Sequence, residues 1–119
     1  MTPYRVLVAG SRNFDDYALL AATLDRLLAG KENVVIVPGG AKGADQLGER
    51  YARERGLAIE QYRPDWKRYG RGAGMVRNGQ MIDTANHAVF FWDGASKGTA
   101  DGIEKAEAKG VPVEVVRFA

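Results

Sequence analysis

The sequence predicts an α/β protein with a three-layer Rossmann-like fold, whose five-stranded parallel sheet has the strand order 3-2-1-4-5. Short apolar runs rich in Val and Ile alternate along the chain with segments whose apolar residues recur at helical spacing. This alternation, with right-handed crossovers, is typical of a parallel sheet covered by helices on both faces. We therefore expect a ligand-binding crevice at the carboxyl ends of strands one and four, where the strand order reverses.

The five predicted strands are the apolar runs themselves. They are YRVLVA (4–9), NVVIV (33–37), LAIEQY (57–62), HAVFFW (87–92) and VPVEVV (111–116). Each run is short and bounded by turn-forming residues, which indicates strands rather than helices.

The predicted helices lie between these strands and carry apolar stripes. The stripes comprise Tyr17, Leu20, Ala21, Leu24, Leu27 and Leu28; then Leu47, Tyr51 and Ala52; then Met75, Met81, Ile82 and Ala85; and a weaker one with Ile103 and Ala106. We interpret them as core-facing surfaces rather than cofactor contacts. Gly30, Gly56 and Gly110 follow helical segments at positions that favour a left-handed residue ending the helix.

Composition limits the class of protein. A chain of 119 residues that is 45% hydrophobic fits a single domain, residues 1–119, with a core of its own. The sequence has no cysteine, which excludes disulfides, thiolate zinc sites and a cysteine nucleophile. A net charge of +2 is too balanced to indicate nucleic acid by itself. No apolar run approaches the roughly 20 residues that span a bilayer, so we expect a cytoplasmic protein without a membrane partner.

Three glycine-bearing turns follow strands that the predicted topology ends at one edge of the sheet. They are GSRNF (10–14), GGAKGAD (39–45) and WDGASKGTAD (92–101). Helix N-termini present backbone N–H groups and partial positive charge to an anion, and nearby cations add to this, so phosphate is the predicted guest. The predicted ligand contacts in these turns are Gly10, Ser11, Arg12, Gly39, Gly40, Lys42, Gly43, Asp45, Asp93, Lys97, Gly98 and Thr99.

The acidic residues of the turns have two interpretations each. Asp45 and Asp101 either favour a helix dipole from the first turn or contact a ligand, for example by accepting a ribose hydroxyl proton. Asp93 is either a polar ligand contact or a turn former. Asp93 and Asp101 are also the candidates for holding Mg²⁺, although two acids alone do not define a metal site. His87, the only histidine, begins strand four at the opposite edge, where we expect a structural role.

The segment RPDWKRYGRGAGMVRNGQMI (63–82) combines cations with aromatic residues. Its cations are Arg63, Lys67, Arg68, Arg71 and Arg77, and Asp65 is the only acidic residue in the segment. Trp66 and Tyr69 lie between the cations, a mixture that suits a nucleotide or a single strand, while the alternative is a solvated basic loop packed by Trp66. We expect Arg77 and Asn78 to open toward the crevice.

These motifs are neither the usual dinucleotide fingerprint nor a Walker loop. VAGSRNF lacks the G-x-G-x-x-G spacing, and GGAKGAD lacks the terminal Gly-Lys-Ser/Thr. An ordinary dehydrogenase or ATPase is therefore not expected.

In these residues the sequence resembles the YspA-like family of the SLOG superfamily, a Rossmann-like group that includes the Lonely Guy phosphoribohydrolases and the DNA-processing protein A family. The resemblance rests on VAGSRNF, GGAKGAD, DWKRYGRGAGMVRNGQMI and GTAD in order, and covers nearly the whole chain. It implies binding of a nucleotide or nucleotide-derived ligand in the crevice, by a sensor or processor that forms a homodimer.

Two alternative functions follow from the same resemblance. The phosphoribohydrolases carry an Arg-Lys pair, of which Arg77 matches the Arg while Asn78 replaces the Lys. They also carry a glycine-rich turn with two acids, of which this sequence offers Asp101 and lacks the second. N-glycosidic hydrolysis of a nucleoside monophosphate would then use Arg77, Asp101 and Asp45 as catalytic candidates. The DNA-processing relatives imply instead a single-stranded nucleic-acid binder that uses residues 63–77.

Overall fold

The computed structural model of the chain describes residues 2–39 and 43–118. The strands are β1 (Tyr4–Gly10), β2 (Val34–Pro38), β3 (Ala58–Ile59), β4 (His87–Trp92) and β5 (Val113–Arg117). The helices are α1 (Tyr17–Leu28), α2 (Ala44–Arg55), the short α3 (Trp66–Tyr69), α4 (Ala73–Thr84) and α5 (Lys97–Ala108), with a 3-10 turn at Gly70–Gly72. None of these helices is long and apolar enough to cross a membrane.

The strands form one parallel sheet in the order β3-β2-β1-β4-β5, so the predicted topology is confirmed. The central strand β1 pairs with β2 on one side, where Val6 lies beside Ile36, and with β4 on the other, where Val6 lies beside His87. Because all five strands run the same way, their carboxyl ends lie at a single edge.

The two faces of the sheet are covered by different helices. Val6 and Val8 of β1 point to one face and pack with α1 and α2, including the buried Leu20 and Tyr51. Leu7 points to the other face, where the cluster contains residues of α4 and α5: Met81, Ile82 and Ala106. This alternation along β1 is the period-2 pattern of a strand buried on both faces, and it produces the predicted three layers.

Two predicted strands are shorter than expected. β3 has two residues instead of six, because it is an edge strand that pairs only with β2 and the chain leaves the sheet after the N–H of Glu60 donates to Ile36 O, at 2.9 Å. β5 begins two residues late, because the N–H of Val111 donates to Ala106 O of α5, at 3.1 Å, and Pro112 has no N–H to donate.

The predicted helix ends are confirmed, and one predicted core residue is wrong. Gly30, Gly56 and Gly110 have φ values of 76°, 67° and 77°, in the left-handed region. Met75, which we placed on the apolar stripe of the third helix, is 65% exposed. It lies two residues after the buried Ala73, about 200° around the axis of α4 and therefore on the solvent side.

Candidate functional site

A cavity of about 270 Å³ opens at the carboxyl edge of the sheet, where β1 and β4 end and α4 faces α5. Its floor is apolar and consists of side chains from the strands and α4: Leu7, Ala9, Met81, Ile82 and Phe90. This position is the topological switch point at which the crevice was predicted. We call it the first cavity.

The rim of the first cavity is polar and comes from four separate segments. It is formed by Gly10, Arg12, Gly39, Arg77, Asn78, Ser96, Gly98, Thr99 and Gly102. Seven of these were predicted from the sequence, so the structure brings together residues of all three glycine turns and the Arg77–Asn78 pair.

The first two turns pack directly against each other. Gly10 passes so close to β4 that a Cβ there would overlap the carbonyl oxygen of Phe91. Gly43 has a φ of 79°, and a Cβ on it would lie 2.8 Å from Ser11 O and 2.7 Å from Arg12 O. Glycine is therefore required at both positions for the turns to meet.

Ser11 and Asp93 connect the first turn to the third, and neither is among the described residues that line the first cavity. Ser11 is 1% exposed; its N–H donates to Phe91 O at 2.9 Å, and its Oγ accepts the N–H of Asp93 at 3.2 Å. The Asp93 carboxylate accepts the N–H groups of Ala95, at 2.9 Å, and Ser96, at 2.8 Å. These bonds lower the pKa of Asp93, so its carboxylate stays ionised. Of the two interpretations predicted for Asp93, this hydrogen bonding agrees with that of a turn-forming residue.

Helix α5 points its N-terminus at the first cavity. Ser96 caps it: the Ser96 Oγ accepts the N–H of Thr99 at 3.5 Å and the Thr99 hydroxyl at 3.2 Å. The first turn of a helix leaves further N–H groups without intrahelical acceptors, and Gly98 brings such a group to the rim without a side chain to cover it. The site therefore offers partial positive charge on this side.

Arg77 and Asn78 provide the opposite wall. The Nε of Arg77 donates to Asn78 Oδ1 at 3.0 Å. Within residues 2–39 and 43–118, Arg77 forms no ion pair with an acid, although its side chain is partly buried. The two terminal nitrogens of the guanidinium donate to none of the described residues.

A second cavity of about 180 Å³ adjoins Arg77 from the other side. It is lined by Pro38, Asp45, Gln61, Tyr62, Arg63, Pro64 and Arg77, at the carboxyl ends of β2 and β3. Asp45, predicted as a ligand contact or a dipole-favouring acid, thus belongs to this second cavity and not to the first.

Several predicted residues lie away from both cavities. Trp66 is 61% exposed and Lys97 is exposed, and neither lines a cavity. Asp101 is exposed and forms an ion pair with Lys105 of the same helix, at 2.8 Å. Gly40 and Lys42 lie outside the described residues.

Metal binding receives no geometric support from the two predicted acids. The Asp93 carboxylate is occupied by backbone N–H groups and that of Asp101 by Lys105. In the part of the chain that the structure describes, no group of three or more His, Cys, Asp or Glu side chains is placed to hold a metal ion.

Ser96 and Gly102 were missed as site residues. Ser96 could have been predicted, because a serine just before a predicted helix favours the N-cap position, and the backbone of that position lies at the helix N-terminus. Gly102 lies one helical turn after Gly98, and a Cβ on it would approach Phe90 Cε1 to 3.0 Å. Gly98 and Gly102 are four residues apart in α5, which places them on the same face of the helix.

His87 lies at the amino end of β4, at the opposite edge from both cavities. Its Nε2 is buried and has no hydrogen-bond partner among the residues described. Burial is the main reason that the pKa of His87 is lowered. The neutral imidazole is therefore favoured there, as a structural residue would require.

Comparisons with known proteins agree with this architecture. Residues 4–69 match the YAcAr family model, described as the YspA, cpYpsA-related SLOG family. The chain is 36% identical over 116 residues to the Gene 61 protein of Mycobacterium phage D29, covering 92% of this chain and 93% of that protein.

A solved structure shares the fold. It is DNA processing protein A from Helicobacter pylori, described for its single-stranded DNA binding mode; the TM-score is 0.70 at 24% identity, over 99% of this chain and 67% of that one. Membership of the SLOG group supports, as a general class of function, the binding of nucleotides or nucleic acids. The resemblance predicted from the motifs is thus confirmed, and the chain belongs to the YspA, cpYpsA-related SLOG family.

Proposed function

We propose that residues 1–119 form one domain that binds a nucleotide or nucleotide-derived ligand in the first cavity. One observation carries the proposal: an apolar floor is surrounded by two arginines and a helix N-terminus at the switch point of the sheet. The floor suits the carbon surface of a base or sugar, and the rim suits phosphate.

The charges of the rim favour an anion from two sides. Arg12 extends from the first turn and Arg77 from α4, while α5 supplies the partial positive charge of its N-terminus. Arginine forms bidentate hydrogen bonds with phosphate, which makes it suited to fixing the orientation of such a group. Because the partly buried Arg77 has no acidic partner among residues 2–39 and 43–118, a bound phosphate would compensate its lost solvation.

Among the described residues, the rim of the first cavity contains no carboxylate, which favours binding or sensing over hydrolysis. Cleavage of an N-glycosidic bond needs an acid near the leaving base or a carboxylate near the ribose. Of the predicted acids, Asp45 is the one that lines one of the two cavities, so it is the candidate to test. Hydrolysis is rejected if purified protein releases no base from a panel of nucleotides, or if Asp45→Asn leaves the release rate unchanged.

The binding proposal is tested by Arg77→Ala. We expect the affinity for AMP or ADP-ribose, measured by calorimetry, to fall by more than tenfold, about 1.4 kcal/mol or more, because the fork that contacts phosphate is lost. Arg53→Ala is the matched control: it removes the same charge from an exposed residue of α2, outside both cavities. Unchanged affinity of a folded Arg77→Ala protein would reject the assignment.

A second candidate, binding of single-stranded nucleic acid, is supported by the surface of α3. Trp66 and Tyr69 are 61% and 38% exposed, and Lys67 and Arg68 of the same helix are exposed between them. Exposed aromatic rings beside cations are suited to stacking bases and pairing with phosphates. The fold shared with DNA processing protein A, whose solved structure concerns single-stranded DNA, points in the same direction.

Gel-shift titration of single-stranded DNA at several salt concentrations tests this candidate. We expect affinity to fall steeply with salt, and Trp66→Ala to weaken binding by about 1–3 kcal/mol, the usual contribution of one stacked base. No shift at low salt, or an affinity that salt leaves constant, would eliminate it.

A further inference from the structure

The two cavities lie side by side along one edge of the sheet and share a residue. The first lies at the ends of β1 and β4, the second at the ends of β2 and β3, and Arg77 lines both. Among the described residues, Arg77 is therefore the side chain through which a ligand in the first cavity could reach the second.

The sizes of the cavities indicate that one ligand uses both. Ligand pockets commonly measure about 300–1,000 Å³. The first cavity, at about 270 Å³, lies just below this range, and the second, at about 180 Å³, lies well below it. Taken together they fall inside the range, which suits a molecule longer than a mononucleotide.

The lining of the second cavity differs from that of the first. Among the described residues it has no floor of core side chains, and its polar members are a carboxylate, an amide and two guanidinium groups: Asp45, Gln61, Arg63 and Arg77. The Gln61 amide is already held in place, because its Nε2 donates to Glu49 and its Oε1 accepts from Arg63. The phenol of Tyr62 already donates to Glu60 Oε1, at 2.9 Å, and this hydrogen bond holds the ring in place at the side of the cavity. Groups that both donate and accept hydrogen bonds match a hydroxyl-rich moiety such as a sugar better than a flat apolar base.

Arg63 is the residue of this cavity best placed for a test. It is exposed, and its NH2 group donates to Gln61 Oε1 at 3.3 Å, which is its one hydrogen bond to the described residues. It therefore contributes little to the stability of the fold and can be replaced without loss of structure.

We propose that the second cavity is a subsite for a second sugar, so that the ligand is a nucleoside diphosphate linked to a further sugar, with Arg77 at the diphosphate. This inference rests on the proposed function, because it assumes a phosphorylated nucleoside in the first cavity. The inference goes beyond that function because it specifies the length of the ligand and names the residues that select it.

Calorimetry with AMP and ADP-ribose as probes tests the subsite, using the wild-type protein and three variants. We expect ADP-ribose to bind at least tenfold more tightly than AMP. Arg63→Ala should weaken ADP-ribose about tenfold and leave AMP unchanged. Arg53→Ala, which removes the same charge from an exposed position on α2 outside both cavities, should change neither. Arg12→Ala should weaken both ligands, because Arg12 lines only the first cavity.

The outcomes separate this inference from the function on which it rests. If AMP binds and Arg12→Ala weakens it, but ADP-ribose gains nothing or Arg63→Ala changes both ligands equally, the subsite is rejected and the nucleotide site stands. If neither probe binds, both proposals are rejected. If oligothymidylate displaces AMP and depends on Arg63 while ADP-ribose does not, the second cavity serves a single strand and the inference is again overturned.

Discussion

The two walls of the first cavity differ in how their polar groups are satisfied. On the side of β1, β4 and α5, the lining residues Ser96 and Thr99 are hydrogen-bonded to each other, and Ser11 and Asp93, which do not line the cavity, bond to each other and to neighbouring backbone. On the side of α4, the Arg77 side chain forms one hydrogen bond to the residues described, and it is to the adjacent Asn78.

This difference indicates that the two walls have different roles, one in stability and the other in affinity. Polar groups with internal partners hold backbone N–H groups in fixed positions before a ligand arrives, which reduces the cost of ordering on binding. A cation with spare donors supplies attraction instead. Substitutions in the first wall should therefore change stability most, and substitutions in the second should change affinity.

Gly10→Ala should have the largest effect on stability. The added methyl would overlap Phe91 O and lie 3.0 Å from the Ala44 Cβ, so backbone of two elements must move. Overpacking of this kind lowers the unfolding free energy by up to about 3 kcal/mol, and backbone atoms here cannot move aside as a side chain could. Urea denaturation at neutral pH measures the loss of unfolding free energy; a loss under about 1 kcal/mol would show that the first wall is more adaptable than its hydrogen bonds indicate.

Asp93→Ala should have a smaller effect that depends on pH. The backbone donors of Ala95 and Ser96 lower the pKa of Asp93 below the ordinary 3.8, so folding favours the ionised form. This stabilisation is complete above the ordinary pKa and is lost as pH falls through the lowered one. The difference in unfolding free energy between wild type and Asp93→Ala should therefore be constant at neutral pH and shrink in acid.

Asp93→Asn is the control for this titration. Its amide oxygen can still accept the same N–H groups but carries no titrating proton, so the Asn variant should lose the pH dependence while keeping part of the stability. A wild-type advantage over Asp93→Ala that increases in acid would contradict the assigned role.

Gly79→Ala, in α4, should have the smallest effect and the opposite sign. Gly79 lies in the helix interior, and a Cβ on it would meet nothing within 4 Å. Because alanine favours the helix over glycine, the unfolding free energy should rise by about 0.5–1 kcal/mol, with nucleotide affinity unchanged. Destabilisation by this variant would mean that the second wall is packed as tightly as the first.

Most of the fold could be predicted because it follows from local patterns. The Val- and Ile-rich runs, the spacing of Leu20 and Leu24, and the glycines after the helices each reflect the chain's own periodicity. The errors are at places where packing against other elements decides the structure: β3 is short because it lies at an edge, and Met75 is exposed because α4 packs on the sheet through the face that carries Met81 and Ile82.

The candidate site could be predicted to the level of turns, not of side-chain direction. The strand order inferred from the sequence places Gly10, Gly39 and Gly98 at one edge of the sheet. Whether a polar side chain then faces the cavity depends on its local partners: Ser11 turns inward to the N–H of Asp93, and Asp101 pairs with Lys105. Those partners are set by tertiary packing, which a motif does not encode.

The bond between Ser11 and Asp93 also bears on which portion of the chain can work alone. The stretch that matches the family model ends at residue 69, yet Ser11 depends on a residue of the loop after β4. A fragment ending there would leave β1 without its neighbour β4, and the residues of α4 and α5 that line the first cavity would be missing. The binding proposed for this site therefore requires the part of the chain after the family match, from Arg77 of α4 to Gly102 of α5.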